Sequence, residues 1–172
     1  MKKLSSKNQK WLKSFHIFFA AVWIGAGVCL IMMQSFLEAN SGQMLYGINI
    51  SMKLIDDFVI IPAAIGSLLT GLIYSIWTRW GFFKHNWIIV KWIINIGGII
   101  FGTFWLGPWM NSMPPISESL GMKALSDAVY MNNNLMNQIF GSIQVATLIF
   151  AAFISVLKPW KKQKNVEKLK QT

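Results

Sequence analysis

"NWIIVKWIIN", residues 86–95, sets a lysine into an otherwise apolar stretch, and the stretch continues as "IGGIIFGTFWL" to residue 106. A run of this length matches the roughly 20 residues an α-helix needs to cross a hydrocarbon core. Three further runs resemble it: "FHIFFAAVWIGAGVCLIMM" (15–33), "FVIIPAAIGSLLTGLIYSIW" (58–77) and "IFGSIQVATLIFAAFISVL" (139–157). Charged residues make up only 13% of the chain, where soluble domains carry roughly 25%. Lipid offers no water to an unpaired peptide group, so spans of this kind must be helical. The expected fold class is all-α: a four-helix transmembrane bundle, spans about 15–33, 58–77, 87–106 and 139–157, forming a single integral membrane domain over residues 1–172.

A net charge of +10 in a soluble chain would point to nucleic acid. Here the cations sit on one side of the predicted spans. Residues 1–13 hold five lysines, the connection after the second span holds Arg79 and Lys84, and the tail from Lys158 holds six lysines. The other two connections carry Glu38, Asp56, Asp57, Glu118 and Asp127 against Lys53 and Lys123. This positive-inside pattern places the N and C termini in the cytoplasm and the protein in the cytoplasmic membrane. Nucleic acid is therefore not an expected partner. The lipid bilayer is, and the basic tail can add attraction to anionic lipid.

The first apolar run is too long for a signal-peptide core, and Val28 in "AGVC" (26–29) occupies the position where a lipoprotein cleavage box needs a small residue. Cys29 is then expected to be a buried thiol without a disulfide partner. Trp11, Trp80, Trp87, Trp109 and Trp160 fall near span ends, where an aromatic belt belongs. Residues 34–57 place Met44, Leu45, Ile48 and Met52 at helical spacing and extend the second helix outward. Residues 107–134 open with a turn-rich piece around Pro114-Pro115, after which Ser126-Asp127 offers an N-cap for a helix running into span four. No internal repeat is evident.

Small and polar residues mark the faces along which membrane helices pack. They predict inward lines of His16, Ala20, Trp23, Gly27 and Gln34 in span one, and Ala63, Ser67, Thr70 and Tyr74 in span two, with a kink at Pro62. Span three aligns Lys91, Asn95, Gly98 and Gly102; span four aligns Gln144, Thr147, Ala151 and Ser155. His16 and Lys91 enter the membrane from the same side at similar depth, roughly 5 Å below the interface at 1.5 Å per residue. Lys91 can snorkel from there or serve a site, since an ionisable residue inside a membrane is a site hypothesis by default. Neutral imidazole ligates haem iron and other metals, which makes His16 the candidate metal ligand. His85 is the other histidine, at the mouth of span three. A closed zinc site needs about four ligands, more than two histidines and one cysteine provide, whereas haem needs one or two. Met110 and Met113 in "WMNSM" are soft donors that copper(I) accepts, and equally ordinary apolar filler. No nucleophile–base set, Walker loop or dinucleotide fingerprint is present, so a reaction here would be redox or proton-coupled.

Three segments in this order, "WLKSFHIFFAAVWIGAG" (11–27), "IIPAAIGSLLTGL" (60–72) and "NWIIVKW" (86–92), resemble a loose group of bacterial four-to-five-helix membrane proteins. The group joins the HemJ-type protoporphyrinogen oxidases, the copper-resistance D-type domains and an uncharacterised family of predicted integral membrane proteins. The shared elements are a histidine entering span one, a tryptophan one to two turns later, a proline and glycine in span two, and W-x-x-x-K entering span three. The resemblance implies that His16 and Lys91 belong to a site for haem b or another porphyrin on the cytoplasmic half of the bundle, with Trp23, Asn95 and His85 as further cofactor-binding candidates. Lys91 would meet a propionate or another anionic ligand group. The oxidases' later third-helix histidine is replaced around Phe101-Gly102, and their basic and histidine residues beyond span one by "MMQSF" (32–36), so the uncharacterised family is the nearest fit. Two functions follow as expectations: an oxidoreductase or other tetrapyrrole-binding membrane protein, or a non-enzymatic accessory subunit or small transporter, in one version copper-related. A second copy of the chain or another membrane protein completes the candidate partners.

Overall fold

The computed structural model describes residues 3–78 and 81–159. Among these residues six α-helices follow one another: α1 Ser6–Phe36, α2 Gly42–Ile55, α3 Ile61–Trp77, α4 Asn86–Phe101, α5 Gly107–Leu120 and α6 Ala128–Leu157. Two π-turns, Asp56–Ile60 and Gly102–Leu106, join α2 to α3 and α4 to α5 without a break, and a 3₁₀ turn, Gly121–Ser126, precedes α6. The result is four long apolar helices: Ser6–Phe36, Gly42–Trp77, Asn86–Ser126 and Ala128–Leu157. Their surfaces carry Phe36 at 76% exposure, Phe58 at 73% and Val156 at 79%. Such side chains are stable against lipid tails and would drive association in water. The architecture is that of a multi-pass integral membrane protein, as the apolar runs predict.

The π-turns have an identifiable cause. A proline cannot donate to the carbonyl four residues back, and its ring collides with it. Pro62 and Pro108 each stand six residues after the start of a π-turn, in "DDFVIIP" (56–62) and "GTFWLGP" (102–108). In both, the residue before the proline donates a longer bond instead: Ile61 N–H to the Asp56 carbonyl and Gly107 N–H to the Gly102 carbonyl. The kink expected at Pro62 is thus a widened turn just ahead of it. The same device recurs in span three at matching depth. α3 has 17 residues and α4 has 16, so at 1.5 Å per residue both π-turns lie roughly 25 Å from the end where spans two and three connect. That end, where the chain also enters and leaves, is called basal here and the opposite end distal.

The distal cap has a core of its own. Leu30, Leu45, Met52, Met110, Met113, Ala124 and Tyr130 are buried together, so the thioethers of Met110 and Met113 are packing groups. Asn49, buried in α2, donates to Ser117 Oγ (3.0 Å) and to the Tyr130 hydroxyl (3.1 Å), joining α2, α5 and α6. Asp127 is the N-cap of α6, its Oδ1 accepting from Val129 N–H (3.0 Å) and Tyr130 N–H (2.9 Å). The predicted extension of span two is present as α2.

Four expectations are corrected. Pro114 and Pro115 lie inside α5 and not in a turn. Burial of Met110, Met113 and Pro114 outweighs the hydrogen bonds the two prolines forgo. Cys29 is exposed, on the outer side of α1 away from buried Gly27 and Leu30. Trp87 is buried with Ile88 and Ile154 and does not join a lipid-facing belt; Trp80 and Trp160 lie outside the described residues. Thr147 is exposed, its hydroxyl donating to the Gln144 carbonyl (2.8 Å). The buried line of α6 runs through Asn137, Val145, Leu148, Ala151 and Ile154, because any apolar residue packs inward as well as a small polar one.

Candidate functional site

Spans one and two pack so closely in the basal half that a Cβ on Gly66 would fall 2.5 Å from the Phe19 ring. One turn further toward the basal end, the His16 imidazole lies over Gly71, whose missing side chain leaves the ring 3.6 Å from where a Cβ would stand. His16 Nδ1 is 2.9 Å from Thr70 Oγ1. Thr70 has one hydroxyl proton, which it donates to the Gly66 carbonyl (2.6 Å), with the Ser67 carbonyl at 3.1 Å. With that proton on a carbonyl, Thr70 Oγ1 accepts from His16 in the tautomer that carries its proton on Nδ1, and in that tautomer Nε2 keeps its lone pair. That is how a metal-ligating histidine is held by its neighbours.

Lys91, half-buried on α4, is close enough for its ammonium to act electrostatically on His16. Among the described residues, no carboxylate lies within ion-pair distance of it. One turn along α4, Asn95 Nδ2 donates to Ser67 Oγ (3.4 Å), and Asn95 Oδ1 is buried without a hydrogen-bond partner among the described residues. His16, Ser67, Thr70 and Asn95 thus form one polar cluster tying spans one, two and three together, with Lys91 one turn from Asn95 on α4. His85 stands at the N-cap of α4, stacked on Trp87 with ring centroids 6.0 Å apart. It is six residues before Lys91, roughly 9 Å nearer the basal end along the helix.

Trp23 is buried two turns beyond His16, packed with Ala63, Ala64 and Leu148. It divides the cluster from a cavity of about 520 Å³ at the centre of the distal half. Of the five residues singled out from the sequence, Trp23 alone lines that cavity. Both π-turns border it, contributing Asp56 and Ile60 on one side and Gly102 and Leu106 on the other. A Cβ on Gly98 would meet both the Trp23 ring and the Gln144 amide at 3.9 Å, so α1, α4 and α6 converge at its floor. Sequence reasoning missed this space. Its available signal was a polar or small pair five to six residues before a proline in each of two adjacent spans.

The chain matches no protein-family model, no curated protein and no solved structure.

Proposed function

We propose that this integral membrane protein binds a haem or porphyrin through His16 and Lys91 on the cytoplasmic half of the bundle, in a redox or other tetrapyrrole-related role. The observation that carries the reading is the His16 imidazole tied through Nδ1 to Thr70 Oγ1 (2.9 Å), with the Lys91 ammonium within electrostatic reach and no acid paired with that lysine among the described residues. These residues fit the group: an axial nitrogen ligand for iron and a cation for a propionate. A bound haem would supply one-electron redox chemistry. The chain's own part is to orient the imidazole through Thr70, to keep its proton on Nδ1, and to hold an anionic edge with the Lys91 ammonium.

After haemin is added to the detergent-purified protein and unbound haemin is removed by gel filtration, a Soret band is expected to co-elute with the protein, and His16→Ala to abolish that co-elution. A protein peak that elutes colourless overturns the reading and leaves the non-enzymatic accessory or transport role.

The basal end is assigned to the cytoplasm on the charge distribution. In a Cys29→Ser background, a membrane-impermeant thiol reagent applied to whole cells should label a cysteine at exposed Ser119 and spare one at exposed Lys84. Ser117 is unsuitable, being buried and bonded to Asn49. The reverse pattern would invert the topology.

A further inference from the structure

We infer that the distal cavity is a second binding site, for an amphiphile with an apolar body and a cationic, hydrogen-bond-donating head such as a primary ammonium. Its volume of about 520 Å³ falls within the roughly 300–1,000 Å³ of small-molecule sites. The walls are mainly apolar, with Trp23, Leu30, Ile60 and Leu148 among them. Gln34, Thr103, Asn111 and Asn137 are polar lining residues too, Gln34 donating to Asn134 Oδ1 (2.7 Å) and Asn137 to the Leu106 carbonyl (3.1 Å); the groups that bear on a ligand's charge lie in two other places. Deep in the bundle is Gln144, whose Oε1 is buried with no hydrogen-bond partner among the described residues. At the level of the first π-turn are Asp56 and Asp57.

The charge at that level is decisive. Lys53 is ion-paired with Asp57, so two carboxylates face one ammonium and the group keeps a net negative charge. Asp56 forms no ion pair among the described residues. A half-buried carboxylate at the edge of a hydrocarbon layer is costly without a counter-charge, and a ligand cation seated in the cavity supplies one. Gln144 can meet a second polar group of the ligand further in. An anionic amphiphile would add a like charge to Asp56, and a neutral one would leave it uncompensated.

The way in is lateral. Ile61 and Ile65 of α3 and Thr103 of the second π-turn all border the cavity and are all exposed. On the basal side of the π-turns α3 packs against α1 and α4 against α6, and α3 and α4 touch one another only sparsely, whereas α2 and α5 close over them in the distal cap. The seam between α3 and α4 therefore opens toward the lipid, at the depth where an amphiphile's head lies. The two π-turns widen both helices at this seam, in keeping with the frequent placement of such turns at functional sites.

This site is separate from the His16 cluster, and one experiment tells them apart. The protein is placed in nanodiscs and titrated with bromododecylammonium, bromododecanol and bromododecanoate while intrinsic fluorescence is followed. The ammonium probe should give saturable quenching that Trp23→Phe largely removes. Asp56→Asn should weaken its binding at least tenfold, Asp56→Glu should restore most of it, and Lys91→Met should leave it unchanged. If the three probes quench alike and without saturation, or if Asp56→Asn binds the ammonium probe as well as the parent does, the assignment fails. Loss of binding in both Asp56→Asn and Asp56→Glu, with the helical circular dichroism intact, would also overturn it, since the carboxylate would then be serving the shape of the π-turn.

Discussion

Gly121→Val is expected to destabilise the protein by about 2–4 kcal/mol, as the sum of a forced backbone conformation and local overpacking. Gly121 closes α5 with φ +56° and ψ −133°, a region essentially closed to residues with a branched Cβ. Its backbone is also the floor on which α2 begins. A Cβ on Gly42 would lie 2.8 Å from Gly121 Cα, and a backbone atom cannot rotate aside as a side chain can. Gly42→Ala should therefore show a loss of the same kind. Thermal unfolding in detergent reads both. Gly97 provides the control: a methyl group added there would have nothing within 4 Å, so Gly97→Ala should gain about 0.5–1 kcal/mol from helix propensity. Equal midpoints for Gly121→Val and Gly97→Ala would show that the distal cap does not depend on this close approach.

That cap also shows where the sequence is readable and where it stops being so. The spans are legible because 20 apolar residues have few other fates. Asp127 is legible because a side-chain oxygen ahead of an apolar run satisfies free helix N–H groups, and it bonds Val129 and Tyr130 as a cap should. Pro114-Pro115 misleads because proline rules are local, while the helix through them is held by Met113, which has 0% exposure. The inward faces of α1 and α3 are read well from His16, Gly27, Ser67 and Thr70. The face of α6 is not, because lipid and protein interior are equally apolar, so hydrophobicity alone does not say which side Thr147 or Val145 takes. The cavity was hidden for a related reason. It depends on two π-turns, and a π-turn is an extra residue absorbed by a helix, invisible to any 3.6-residue periodicity. Only the matched spacing of "DDFVIIP" and "GTFWLGP" records it, and that equivalence covers seven residues in each span without reaching the rest of the chain.

Lys91→Met should lower haemin affinity roughly ten- to a hundredfold, because a hydrogen bond to a charged group contributes about 1.5–3 kcal/mol. The effect depends on what Lys91 does in the absence of a ligand. A lysine that only snorkelled would keep its ammonium in the headgroup layer, and methionine would replace its apolar stem at little cost. Lys91 is instead half-buried beside His16, with no acid within ion-pair distance among the described residues. An anionic ligand edge would compensate that charge, so binding and the lysine should be coupled. Arginine should restore only part of the affinity, since its planar fork differs in shape from an ammonium. Thr70→Val tests the other half of the arrangement. It removes the acceptor that holds the His16 proton on Nδ1, and loss of such an outer partner typically costs about 10–100-fold in affinity for a ligated metal. The two changes act on different parts of the ligand. Thr70→Val should shift the Soret position by altering the ligating imidazole, whereas Lys91→Met should weaken binding and leave the band where it was. Both variants must keep the parent's helical circular dichroism for the comparison to hold. Wild-type affinity in both would mean that His16 and Lys91 serve only the packing of spans one, two and three.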